Sequence, residues 1–145
     1  MTNAQNILII GGAGFLGANL VRRCLAEPGV RLTVMDSLDP HLRATTKNLQ
    51  AVWKQIRFVR GDIRDEQLLA ELVQGQEIIF NCAAQTSHPL SIQYPLLDAD
   101  INCNGTINVL EACRLSKHGV KVLFAGSRGQ IGEPIYLPVD ENHPQ

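Results

Sequence analysis

The sequence predicts an α/β fold: a doubly wound parallel sheet of five strands in the order 3-2-1-4-5, with helices on both faces. Three observations predict it. Short apolar runs alternate with amphipathic helical stretches along the 145 residues, as right-handed βαβ crossovers require. The first run passes through Gly11, Gly14 and Gly17 directly into a helical stretch. Acidic residues, Asp36 and Asp62, stand at the ends of the second and third strands, where the ligand crevice of such a sheet opens.

Residues 7–10, all Ile or Leu, read as a buried first strand, and residues 18–26 as a helix with Leu20, Val21, Cys24 and Leu25 on one apolar face. Pro28 and Gly29 mark a turn, and residues 30–35 form the second strand, ending at Asp36. A polar loop through Pro40 leads to a short helix over 41–52. Residues 56–60 alternate as a third strand that closes at Gly61 and Asp62. Asp65 is placed to cap a helix over 66–73, with Leu68, Leu69 and Leu72 inward and Gly75 ending it. Residues 77–81 make the fourth strand. A loop with Pro89 precedes a long helix over 95–117, whose apolar residues cover more than one stripe. That breadth predicts burial against the sheet and against a further surface such as a second subunit, a homodimer. Residues 120–125 form the fifth strand, and the chain after Gly126 is irregular.

One domain and a single core suit this length. The formal net charge is −1 with both signs interspersed, so no electrostatic footprint for nucleic acid exists. No apolar run approaches membrane-spanning length and the N-terminus is polar, so no membrane partner is expected and the default location is cytoplasmic. Cys24, Cys82, Cys103 and Cys113 form no C-x-x-C pair, and His41, His88, His118 and His143 are scattered; no metal is expected.

The spacing of Gly11, Gly14 and Gly17 is G-x-x-G-x-x-G, a variant of the dinucleotide fingerprint. Glycines there let the backbone turn and let phosphates come close, while the helix start offers unpaired N–H groups and a positive dipole end. A Cβ at Gly14 or Gly17 would push against a pyrophosphate or the helix–strand contact. Asp36 lies 19 residues after Gly17, where a carboxylate accepts from ribose hydroxyls and repels a 2′-phosphate. The nearest following cation is Arg43, so NAD is favoured over NADP. Asp62 with Ile63 could hold an adenine or form a turn; Ala83 and Ala84 leave room for a ligand or pack tightly.

Together these residues resemble the extended short-chain dehydrogenase/reductases, within the NAD-dependent nucleotide-sugar epimerase/dehydratase group. The resemblance rests on G-G-A-G-F-L-G over 11–17, V-M-D-S-L over 34–38, G-D-I over 61–63, N-C-A-A-Q over 81–85, D-I-N-C-N-G-T over 100–106, L-E-A-C-R over 110–114 and F-A-G-S-R-G-Q-I-G over 124–132. It implies a Rossmann domain over 1–145 with Phe15 and Leu16 beside the pyrophosphate. Asp36, Ser37 and Leu38 would surround the adenosine ribose, and Asp62 and Ile63 would hold the adenine. Cys82, Ala83, Ala84 and Gln85 would line the path to the nicotinamide. Asn102 would support the active site, and Ser127 would hydrogen-bond the sugar hydroxyl being oxidised.

Departures accompany the resemblance. Asn81 stands where the family often has His, and Ile131 where it often has Tyr. The family's Tyr-x-x-x-Lys pair is missing: Tyr94 and Tyr136 are followed four residues later by Asp98 and Asp140. In the family that pair and the sugar-binding portion come after a point equivalent to Pro144, so the chain is expected to be the cofactor half of a nucleotide-sugar epimerase or dehydratase. The alternatives are a non-catalytic NAD-binding or redox-sensing module, and a family oxidoreductase on a non-nucleotide substrate such as a sterol or dihydroflavonol.

Overall fold

A computed structural model describes residues 4–40 and 45–144. Its five strands are β1 (Gln5–Ile10), β2 (Val30–Asp36), β3 (Arg57–Arg60), β4 (Ile78–Asn81) and β5 (Lys121–Phe124). All pair in parallel in the order β3-β2-β1-β4-β5, as the alternation of apolar runs predicts.

The central strand shows why its residues are uniformly apolar. Successive side chains of a strand point to opposite faces, and here both faces are covered. Leu8 and Ile10 join Met35, Ile63, Leu69, Leu72, Val73, Ile79, Ile101, Val109 and Ala112 in one core. Ile7 and Ile9 join Ala18, Val21, Cys24, Leu32, Val34 and Leu49 in the other. The first core is closed by α2 (Glu66–Leu72) and the second by α1 (Phe15–Leu25). Asp65 caps α2 as expected, its Oδ1 accepting from Leu68 N–H at 3.0 Å. Helix α1 starts at Phe15, three residues earlier than the periodicity suggests, because the last glycine of the motif, Gly17, is itself helical and buried.

Two helical expectations need correction. The short helix over 41–52 is a 3-10 helix, Thr46–Gln55, capped by Thr45; its expected first four residues, 41–44 with His41 and Arg43, lie outside the described residues. The long helix over 95–117 is a composite. After α3 (His88–Gln93), α4 (Pro95–Ala99) runs through a π-helical turn, Asp100–Asn104, into α5 (Gly105–Leu115). A π turn inserts one residue into the helical repeat and rotates the stripe that follows it. Part of the apparent breadth of the apolar face therefore comes from the shifted phase. The rest stays exposed: Leu96, Ile107, Leu110 and Leu115 lie about half or more open to solvent.

Candidate functional site

The register brings Ile10, Met35, Asn81 and Phe124 into line at the C-terminal edge of the sheet. Beyond that edge lies a cleft of about 930 Å³ lined by the glycine loop, the ends of β2, β3 and β4, and Ala125 with Gly126.

The glycine loop forms one wall. Gly11 has φ +76°, a left-handed backbone that favours glycine, and a Cβ there would stand 2.6 Å from Ala83 N. Its lack of a side chain lets β1 and β4 close on each other at the base of the cleft. At Gly17 a Cβ would meet Gly11 O at 2.3 Å, so α1 can start against the loop only with glycine there. Gly14, the N-cap of α1, differs: a Cβ would find only Gly11 O, at 3.3 Å. The protein leaves space at Gly14 that a side chain would fill. In the first turn of α1 the N–H groups of Phe15, Leu16 and Gly17 have no intrahelical acceptor.

Asp36 is 7% exposed. Its Oδ2 accepts from Ala13 N–H and its Oδ1 from Leu38 N–H, both at 2.9 Å. Each oxygen keeps a lone pair after those bonds. At the next strand Asp62 is gripped by Arg64: Nε and Nη2 donate at 2.9 and 2.7 Å, and the Arg64 backbone N–H donates at 2.9 Å. Those bonds hold the Asp62 carboxyl below the usual carboxylate range and the guanidinium above its own. Arg64 also reaches Asp100 at 3.5 Å, tying the β3 end to the π turn.

Of the residues singled out in the sequence, Gly11, Gly14, Phe15, Leu16, Gly17, Asp36, Ser37, Asp62, Ile63, Cys82, Ala83 and Ala84 line one cleft. Phe15 is 86% exposed at its mouth. Ile63 is mostly committed to the core, packed where a Cβ on Gly105 would be. Burial pushes the Cys82 thiol up, which makes it a neutral wall rather than a nucleophile.

Four others do not line it. Leu38 contributes a backbone N–H to Asp36, while its side chain packs on the α1 core at φ 52°. Gln85 is 5% exposed and turned into a polar cluster, its Nε2 within hydrogen-bonding distance of Ser87 O, Ser91 Oγ and Asp98 Oδ1. Asn102, on the π turn, exchanges two bonds with the Gln85 backbone at 2.8 and 3.0 Å, fixing the loop after β4. Ser127 is exposed beside the lining residue Gly126, its Oγ accepting from Gly129 N–H at 3.0 Å.

The sequence reading missed Asn48. It lines the cleft and its Nδ2 donates to Ala13 O at 2.9 Å. Nothing in its local spacing marks it, because its partner lies 35 residues away. Tyr136 donates to Asp140 Oδ1 at 2.7 Å, and that bond raises the phenol. Among the described residues no group of His, Cys, Asp and Glu could hold a metal ion, and no helix is long and apolar enough to cross a membrane.

With that geometry in place, the sequence profile of the NAD-dependent epimerase/dehydratase family matches residues 7–145. The chain belongs to this family. A chain from Methanocaldococcus jannaschii, provisionally named a UDP-glucose 4-epimerase, is 41% identical over 141 residues, covering 95% of this chain and 43% of that protein. CDP-paratose 2-epimerase of Salmonella typhi is 33% identical over 133 residues, 89% of this chain and 38% of that protein. The structure of UDP-glucose 4-epimerase from Brucella ovis in complex with NAD superposes with a TM-score of 0.78 at 32% identity, over 98% of this chain and 42% of the other. The family member described here thus spans about two fifths of the length of these curated relatives.

Proposed function

We propose that this chain binds NAD and is the cofactor-holding part of an epimerase or dehydratase that acts on a nucleotide sugar. The observation that carries the proposal is the open cradle at Gly14 beside the first turn of α1, with the buried carboxylate of Asp36 one strand away. Free N–H groups and a helix dipole suit a pyrophosphate. The remaining lone pair on each Asp36 oxygen suits the two ribose hydroxyls, and its charge opposes a 2′-phosphate. Asp62, with one lone pair left on Oδ2 after Arg64, and Ile63 would hold the adenine. Cys82, Ala83 and Ala84 form a neutral, narrow wall, while Gln85 and Asn102 fix the backbone behind it. When bound, NAD supplies a hydride acceptor and later a donor.

Ser127 would orient the substrate hydroxyl. A hydroxyl is a poor base, and the alcohol proton needs a group poised near neutral pH. Tyr136 is unsuited, since Asp140 draws its proton tighter. Lys121 opens β5, at the sheet edge opposite the cleft. We therefore propose that these 145 residues alone turn over no nucleotide sugar. The exposed Leu96, Ile107, Leu110 and Leu115 are, on the same proposal, a contact with a second subunit.

Calorimetry with NAD and NADP tests the cofactor assignment. NAD should bind at least tenfold tighter; equal affinities would remove the role given to Asp36. Incubation with NAD and UDP-, GDP-, CDP- and dTDP-sugars tests the rest, and release of an epimer or keto sugar by the 145 residues would refute their inactivity.

A further inference from the structure

Ala13, at the middle of the glycine loop, is 1% exposed, and both of its backbone polar groups are held by side chains from elsewhere in the chain. Its N–H donates to Asp36 Oδ2 and its carbonyl accepts from Asn48 Nδ2, each at 2.9 Å. The carbonyl shares a peptide with Gly14 N–H, whose own bond, to Gly11 O, is long at 3.3 Å. Asn48 is thus the stronger of the two restraints on that peptide.

Asn48 is itself held. Leu49, beside it, is fully buried in the α1 core. Arg22 Nη1 donates to the Asn48 carbonyl at 2.8 Å, and Arg22 Nη2 donates to Asn19 Oδ1 at 3.0 Å. Asn19 Nδ2 then donates to Phe15 O at 2.8 Å. The bonds run from Ala13 through Asn48, Arg22 and Asn19 to Phe15, the two residues that flank Gly14. A relay anchored on both sides of the open cradle fixes the angle at which α1 meets the loop, and with it the direction of the first-turn N–H groups.

We propose that Asn48 is a positioning residue for the dinucleotide loop, its carboxamide donor setting the Ala13–Gly14 peptide and thereby the affinity for NAD. The proposal rests on the reading that NAD occupies this cleft. Gly14 offers no steric barrier to rotation of that peptide, so the donor matters more here than at an ordinary loop position. Loss of the donor lets the peptide rotate and misaligns the anion-binding groups.

The test uses the protein expressed from its full reading frame, with NAD affinity measured by calorimetry and folding followed by thermal melting. Asn48→Asp keeps the shape and loses the donor. At pH 8 it should bind NAD at least tenfold more weakly than the unmutated protein. As the pH falls toward 4.5 the new carboxyl takes up a proton, its O–H can donate to Ala13 O, and the ratio of affinities should shrink severalfold. Arg22, which bonds the Asn48 carbonyl, and Asp36 and Asp39, which line the cleft with Asn48, are present in both proteins and their own titration cancels in the ratio. Asn48→Ala should bind as weakly at pH 8 and show no recovery. Should both Asn48 variants fail to fold, Arg22→Met breaks the relay at its middle and should weaken NAD binding about threefold. Affinities unchanged by Asn48→Asp, a pH-independent loss, or Arg22→Met binding as the unmutated protein would overturn the proposal. Absence of NAD binding by the unmutated protein would instead overturn the assignment of the cleft, and this proposal with it.

Discussion

Ala13, at one end of the cleft, is tied by side chains 23 and 35 residues away, whereas Ser127, beside the other end, is tied among the described residues only to Gly129 and Gln130, two and three residues on. The same contrast holds around each. Asp36 and Leu49 beside the glycine loop are buried, while Leu123 and Phe124 of β5 and Tyr136 beyond it lie 40% exposed or more. Long-range bonds hold a site in place when no ligand is present; local bonds hold only a turn. The glycine-loop side of the cleft is therefore built by the chain itself to a set geometry. The Ser127 side presents its groups without fixing them, and contacts outside these residues would have to do so. On the proposed function, binding and catalysis should come apart along this line.

The most damaging way to break the contrast is Gly17→Ala. The methyl would stand 2.3 Å from Gly11 O and 2.6 Å from Gly12 Cα, and backbone atoms cannot step aside cheaply. We expect a loss of about 3 kcal/mol, a fall in melting temperature of about 10 °C, and no NAD binding; a near-normal melt would mean that the loop and α1 are not mutually fitted. Next comes Gly14→Ala. Its backbone is extended at φ −67° and the methyl meets only one protein atom, so stability should fall by no more than about 1 kcal/mol, the cost of a poorer N-cap. NAD affinity should nonetheless drop tenfold or more, because the methyl occupies the cradle. Comparable melts with divergent affinities would sharpen the contrast between a glycine needed by the fold and one needed by the ligand. Smallest of all on binding is Ser127→Ala, which removes one exposed cap worth about 1 kcal/mol and should leave calorimetric NAD affinity unchanged. In a protein with the full catalytic apparatus the same substitution should depress kcat. A shift in NAD affinity instead would place Ser127 in the binding half.

Much of this division was legible in the residues. Strand order followed from the alternation of apolar runs, and the cleft from Gly11, Gly14, Gly17 and Asp36, because glycine and a strand-end carboxylate act through residue type. Leu38 and Gln85 stand outside the cleft lining for a different reason: motif position carries the backbone to the site but does not say where a side chain turns. Leu38 serves through its N–H, and Gln85 points into a cluster with Ser91 and Asp98. The π turn escaped because one added residue leaves an apolar stretch looking merely broad. Asn48 escaped because a single bond across 35 residues has no period.

Asp36 carries a consequence for how such a chain can change over time. Its two oxygens already brace Ala13 and Leu38, so the group proposed to select the coenzyme also holds the loop in shape. An ancestor or a designer seeking a phosphorylated coenzyme cannot simply exchange the carboxylate for a small or cationic residue: the first step would slacken the loop before any new preference could appear. A route to the other coenzyme has to begin elsewhere, with a substitute brace for Ala13 N–H or with added stability to absorb the loss. On the role proposed for Asp36, coenzyme preference and loop shape rest on one carboxylate, so the two change together.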